Sequence, residues 1–156
     1  MGLFDLSRRH KTDRIGMLDT RGTGPAISRL TWLNIEKFAG VDGEGSIDLH
    51  GISVLANSKS NVLRFLVINH RPTVDPITNQ VISASLTGAN TTIEQFITDV
   101  GTSSIRHVRT HTHDLIQTPN AVQWVNDHAF LFTNDHGTKV GLVSLTHPPT
   151  HILTHE

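Results

Sequence analysis

Short apolar runs bounded by turn-forming residues dominate the chain and predict β-strands. Residues 52–55 and 62–69 are two such runs, separated by a polar stretch rich in Asn and Ser. Residues 121–125 and 129–133 form a second pair around the turn residues 126–128. Two β-rich runs joined by a turn-rich loop are typical of a hairpin, so the sequence predicts two hairpins.

Strict alternation of apolar and polar side chains predicts two further strands, at residues 91–97 and 105–110. Residues 74–79 have the composition of a turn, and residues 140–145 suit one more strand. No long segment shows a helical stripe. Many short strands at spacings of about ten residues predict an all-β fold and leave sandwich, barrel and propeller open.

Composition narrows the function classes. The chain has 156 residues, 37% hydrophobic and 17% charged, with a formal net charge of −1. A near-neutral charge gives no electrostatic footprint for nucleic acid, and no apolar run has the length of a transmembrane segment. There is no cysteine, so disulfides and thiolate metal sites are excluded. The N-terminus lacks the apolar region of a signal peptide, and nothing in the sequence indicates a compartment.

Eleven histidines are the unusual feature of the composition. His111 and His113 would lie on one face of an extended segment, which makes a zinc pair possible, although zinc requires at least a third ligand. Exposed loop histidines are the alternative. A histidine-rich metal-binding module therefore stays open as a function.

His50 lies at the start of one predicted strand, and His70 lies just after the end of the next. The two imidazoles can meet if the strands pair antiparallel, and Gly51 permits close backbone approach beside His50. Adjacent imidazoles can act as a general base with an orienting partner. Histidines that are merely exposed, or satisfied by other hydrogen bonds, are the alternative.

Asn120 and Asp135 lie at the ends of predicted strands. Amide and carboxylate oxygens are suitable calcium ligands. They are equally common in turns, so the pattern alone does not separate a metal site from turn chemistry.

Four motifs in order resemble the paraoxonase and arylesterase family, in particular its fungal-type members. They are residues 48–53 (DLHGIS), 66–70 (LVINH), 119–122 (PNAV) and 133–136 (TNDH). Residues 41–45 (VDGEG) and the strand at residues 91–96 are also similar. The resemblance covers about residues 25 to 142, which would be under half of a complete family member.

The resemblance implies a six-bladed β-propeller with two calcium ions, one catalytic and one structural, that hydrolyses carboxylic esters, lactones or related aryl esters. It also implies a role for each matching residue. His50 and His70 match the histidine dyad that activates water, and Asn120 matches a ligand of the catalytic calcium. Ile52 matches a position whose backbone carbonyl binds the structural calcium, and Asp135 matches a residue near the dyad.

The chain departs from the family pattern at several ligand positions. Ala121 stands where animal members carry Asp, and the ligands from earlier and later blades have no counterpart. We therefore expect a polar lead-in at residues 1–25, a propeller portion of about two blades at 26–142, and a non-family tail at 143–156. The tail is interpreted as retained-intron translation or as the chain's own extension.

An open portion of a propeller exposes strand edges. We accordingly expect little hydrolase activity from the chain alone, doubtful calcium binding and possible self-association through edge strands. A non-catalytic assembly partner is an alternative function. Intact family members are often secreted.

Overall fold

The computed structural model describes residues 13–40, 45, 47–57, 59–78, 80–135 and 150–154. These residues form an all-β structure with only two short helical segments, at Ala26–Arg29 (3₁₀) and Ala84–Thr87 (α). The strands are β1 Gly16–Leu18, β2 Leu30–Trp32, β3 Asn34–Glu36, β4 Leu49–Ala56, β5 Val62–Arg71, β6 Thr73–Val74, β7 Val81–Ile82, β8 Asn90–Asp99, β9 Ser104–His111, β10 Pro119–Asn126, β11 Ala129–Asn134 and β12 Thr150–Thr154.

A five-stranded sheet in the order β3-β9-β8-β5-β4 forms the centre of the structure. Its strands β4, β5, β8 and β9 follow one another as antiparallel neighbours, while β3 joins β9 in parallel. The small hairpin β6–β7 lies in the connection between β5 and β8. Strands β10, β11 and β12 make a separate antiparallel sheet, and β1 pairs with β2. Among the described residues no sheet closes on itself.

Each face of the central sheet packs into its own apolar core, because side chains alternate between faces along a strand. The first face packs against the β10–β12 sheet; its core residues are Leu66, Ile68, Ile93, Ile116, Val122, Trp124, Phe130 and Phe132. The second face packs with the segments that precede β1 and β4 and the segment that follows β2; its core residues are Ile15, Leu33, Ile47, Phe65, Val67, Phe96 and Ile105. The central sheet is therefore covered on both sides, which accounts for the nearly continuous apolar run of β5.

Strand β4 at the edge of the central sheet packs closely against β10 of the neighbouring sheet. The backbone N–H of Trp124 donates to the Ser53 hydroxyl across this junction, with an N···O distance of 3.1 Å. Ser53 is buried, so this hydrogen bond satisfies a polar group that would otherwise be costly to bury. The junction brings the beginnings of β4 and β10 together.

Asx hydrogen bonds form the turns where the sequence predicts them. The Asp75 carboxylate accepts the backbone N–H groups of Ile77 and Thr78 at 2.7 and 2.9 Å. These bonds to the charged form lower the pKa of Asp75. In the β10–β11 turn, Asn126 Oδ1 accepts the N–H of His128 at 2.8 Å. Side chains of this type favour turns because they bind their own backbone two residues on.

A buried polar cluster lies on the second face of the central sheet. Glu94 in β8 is fully buried, and its carboxylate accepts hydrogen bonds from the hydroxyls of Thr92 and Thr110, both at 2.6 Å. His107 Nε2 lies 3.0 Å from the same carboxylate. The β8–β9 register shifts between Gln95 and Phe96, so one extra residue in β9 lets both His107 and Thr110 face Glu94.

The two predicted hairpins and the two alternating strands are confirmed as β4–β5, β10–β11, β8 and β9. Within the expected lead-in at residues 1–25, the described residues 13–25 include β1, which pairs with β2, and the buried Ile15. Residues 150–154 of the expected tail pair with β11 as β12. The strand predicted at residues 140–145 lies outside the described residues. In the part of the chain that is described, no helix has the length and apolar character to cross a membrane.

Candidate functional site

A β-bulge sets the direction of His50. Leu49 pairs with Asn69 and Ile52 pairs with Val67, so two residues of β4 oppose one residue of β5. Leu49 and Ile52 consequently both lie on the second face, where strict alternation would place them on opposite faces. His50, between them, is turned toward the first face. Bulges commonly re-aim a side chain in this way.

His50 meets His70 and Asn120 at the junction of the two sheets. The ring centroids of His50 and His70 lie 5.0 Å apart at an interplanar angle of 70°, an edge-to-face arrangement. His50 Nε2 is hydrogen-bonded to Asn120 Oδ1. The structure therefore brings together three of the five residues that the sequence singled out.

The hydrogen bond at Nε2 of His50 determines which ring nitrogen can accept a proton. An amide oxygen only accepts, so the imidazole donates from Nε2 to Asn120. Neutral imidazole carries one N–H, and Nδ1 of His50 is then the nitrogen with the lone pair. His50 is also solvent-exposed. The arrangement suits a base that takes a proton from water.

His70 is held from two sides. Its backbone N–H donates to the carbonyl of Asp48 at 2.9 Å. Its Nδ1 lies 3.0 Å from the hydroxyl of Thr91, the residue directly opposite in β8. Sequence reasoning did not identify Thr91. No sequence motif marks Thr91, because its place opposite His70 depends on the β5–β8 register.

Asn134 fixes the segment that leads into Asn120. Its Oδ1 accepts the backbone N–H groups of Gln117 and Thr118 at 3.2 and 3.0 Å, and its Nδ2 donates to the carbonyl of Leu115 at 2.8 Å. Asn134 is buried, so the amide replaces the hydrogen bonds that water would make. This asparagine has a structural role that the sequence reasoning did not assign.

Between described residues, the structure shows no hydrogen bond from Asp135 or Ile52 to the imidazole pair. Asp135 is exposed, and its backbone N–H donates to Thr118 at 2.9 Å. The side chain of Ile52 is 50% exposed and lines an apolar cleft of about 270 Å³ on the second face, with Ile15, Val54 and Phe65 among its neighbours. The adjacent Asn134 pairs with Pro119, so Asp135 lies at the end of the strand pair that carries Asn120.

The described residues do not fit a calcium cage at this site. Calcium takes about six to eight oxygen ligands. Asn120 Oδ1 is the side-chain oxygen that faces His50, and it already accepts a hydrogen bond from that ring. Within the described residues, no three His, Asp or Glu side chains are grouped so as to hold a metal ion. The chemistry supported by these contacts is that of imidazole.

The possible zinc pair does not share one extended strand. Strand β9 ends at His111, which is buried with Nε2 3.1 Å from Gln95 Oε1 and its ring against Phe130. His113 is exposed in the following loop, and its Nδ1 accepts the backbone N–H of Leu115 at 3.1 Å. Each imidazole thus has a hydrogen-bond partner of its own.

Gly51 is required by the close approach of β4 and β10. A Cβ atom at this position would lie 2.8 Å from the carbonyl oxygen of Asn120 and 2.9 Å from Ile68 Cδ1. We expect Gly51→Ala to lower the free energy of unfolding by about 1–3 kcal/mol, the usual cost of overpacking. It should also weaken the hydrogen bond between His50 and Asn120. Urea denaturation followed by tryptophan fluorescence measures the first effect, and histidine NMR measures the second.

Gly16→Ala is the matched control, because its added Cβ meets only side-chain atoms, of Leu30 and Trp32, at 3.0–3.3 Å. We expect a smaller loss of stability there and no change in the His50 resonances. Equal losses in the two variants would show that the β4–β10 approach is not specifically tight.

Comparison of the chain with protein-family models and with curated proteins gave no match.

Proposed function

We propose that the chain is a member of the paraoxonase and arylesterase type of hydrolase, and that His50 and His70 form its ester- or lactone-hydrolysing base. The observation that carries this proposal is the edge-to-face contact of the two imidazoles, with His50 oriented by Asn120. A second observation supports it. Strands β4, β5, β8 and β9 form an antiparallel meander beside the β10–β12 sheet, an arrangement expected of adjacent propeller blades. A propeller portion is therefore the finer fold that we propose for this all-β chain.

The reaction follows from the hydrogen-bond direction at His50. Nδ1 of the neutral ring accepts a proton from water while the water oxygen attacks the carbonyl carbon of the ester. The acyl–oxygen bond of the tetrahedral intermediate then breaks, and the leaving alkoxide or phenolate takes a proton from the imidazolium. His70 supports the charged ring of His50 at the 5.0 Å contact. General base catalysis of this kind contributes at least about 100-fold.

Turnover by this chain should be slow. Fast ester hydrolysis needs preorganised donors or a metal aimed at the developing oxyanion. The described residues around His50 supply the base but not a set of oxygen ligands for calcium. An effect of calcium or EDTA on the histidine-dependent rate would indicate that further residues complete a calcium site beside Asn120.

The test is hydrolysis of phenyl acetate and of a γ-lactone by the purified chain. We expect His50→Gln and His70→Gln to lower the rate constant by about 100-fold. His128→Gln is the control, because His128 lies exposed in the β10–β11 turn and its substitution should leave the rate unchanged. The proposal fails if all three variants match the unchanged chain, or if the chain is no faster than free imidazole at the same concentration.

A further inference from the structure

Thr91 faces His70 near one end of the β5–β8 ladder. The two residues are direct antiparallel partners, and Thr91 Oγ1 lies 3.0 Å from His70 Nδ1. Both side chains are on the first face, as are Ile68 and Ile93, which lie two residues away in each strand. Thr91 is 4% exposed, so its hydroxyl is shielded from bulk water.

The direction of this hydrogen bond follows from the hydroxyl. A buried hydroxyl requires an acceptor for its proton. Among the described residues, His70 Nδ1 is the acceptor within hydrogen-bonding distance of Thr91 Oγ1. The hydroxyl therefore donates and Nδ1 of His70 accepts. A neutral imidazole that accepts at Nδ1 carries its proton at Nε2.

We propose that Thr91 is the positioning residue of His70, fixing the ring and holding the neutral imidazole in its Nε2–H form. Asn120 positions His50 in the same way, because Nε2 of His50 donates to the Asn120 amide oxygen. The two neighbouring rings are thus held by separate partners from different sheets. The inference rests on the proposed hydrolytic role of the pair, but the tautomer of His70 can be measured without any substrate.

The first experiment is ¹⁵N NMR of the ring nitrogens of His70 at a pH at which the imidazole is neutral. We expect the unchanged chain to show a protonated Nε2 and an unprotonated Nδ1. Thr91→Val removes the hydroxyl while keeping the branched shape, and it should raise the fraction of His70 in the Nδ1–H form. Thr91→Ser should restore the original form.

The second measurement is the hydrolysis of phenyl acetate by the same variants. Loss of one neutral hydrogen bond should lower kcat by about three- to tenfold in Thr91→Val, with KM unchanged and the rate restored in Thr91→Ser. A purely structural role for Thr91 would lower stability without changing the tautomer of His70.

Two outcomes overturn the inference: a protonated Nδ1 in the unchanged chain, or the same His70 tautomer in Thr91→Val as in the unchanged chain. The first decides the matter even if Thr91→Val does not fold. A tautomer that changes as expected, together with hydrolysis that is independent of both histidines, would support the role of Thr91 and overturn the hydrolytic function.

Discussion

Glu94→Ala should lower the free energy of unfolding by about 3–5 kcal/mol, because it leaves several hydrogen-bond donors without an acceptor, each at a cost of about 1–3 kcal/mol when buried. The fully buried carboxylate accepts from Thr92, Thr110 and His107. Without it, two hydroxyls and an imidazole lose their acceptor inside the second face of the sheet. Because a domain is stable by only about 5–15 kcal/mol, much of the stability would be lost. The midpoint and slope of urea denaturation measure the effect.

Glu36→Ala in β3 provides the control, because Glu36 is an exposed strand glutamate and should change stability by no more than about 0.5 kcal/mol. Glu94→Gln keeps the shape and one acceptor oxygen but directs an NH₂ group at hydrogen-bond donors. We expect an intermediate loss for it. A Glu94→Ala loss as small as that of Glu36→Ala would contradict the importance of this cluster.

Phe130→Ala should also cost about 3–5 kcal/mol, the range for truncating a buried phenylalanine. The ring of Phe130 is fully buried between the central sheet and the β10–β12 sheet. It packs edge-on against His111 and Trp124, with centroid distances of 5.2 and 6.2 Å. Its loss leaves a cavity between the two sheets. We therefore expect urea denaturation to show a lower free energy of unfolding. We also expect the NMR resonances of the His50 ring to change, because the hydrogen bond to Asn120 weakens.

Val125→Ala is the comparison for this effect, since Val125 lies on β10 of the same sheet with its side chain 53% exposed. Its truncation should cost less than about 1 kcal/mol. If Phe130→Ala lowered stability while the His50 resonances stayed unchanged, then the packing of the two sheets would not control the position of Asn120.

Local patterns explain why the strands were predictable. Alternation in residues 91–97 and the turn residues at 126–128 act over a few positions, so the sequence alone indicates β8 and the β10–β11 hairpin. Strands β1 and β12 were not predicted, because each is short and is formed by hydrogen bonds to a partner strand. Gly16 pairs with Trp32, and Ile152 pairs with Leu131, at separations that no local pattern reveals.

The candidate site was predictable in part. A histidine at one strand start and another at the end of the next can be placed side by side from hairpin geometry, and His50 and His70 lie there. Position alone left Asn120 open between a calcium ligand and a turn residue, and the resemblance favoured the ligand. Its hydrogen bond to His50 was not predicted, because Asn120 reaches His50 from another sheet. Thr91 and the bulge could not be foreseen, since both depend on the register between strands, which the packing of the two faces decides.

The bulge in β4 also makes the site depend on the number of residues between Leu49 and Ile52, not only on their identity. In-frame loss of the Gly51 codon would remove the extra residue and place His50 directly opposite Ile68, still on the first face. It would also remove the glycine at which β4 approaches the backbone of Asn120. The position of His50 relative to Asn120 is therefore sensitive to a change of one residue in length, even when every histidine codon is intact.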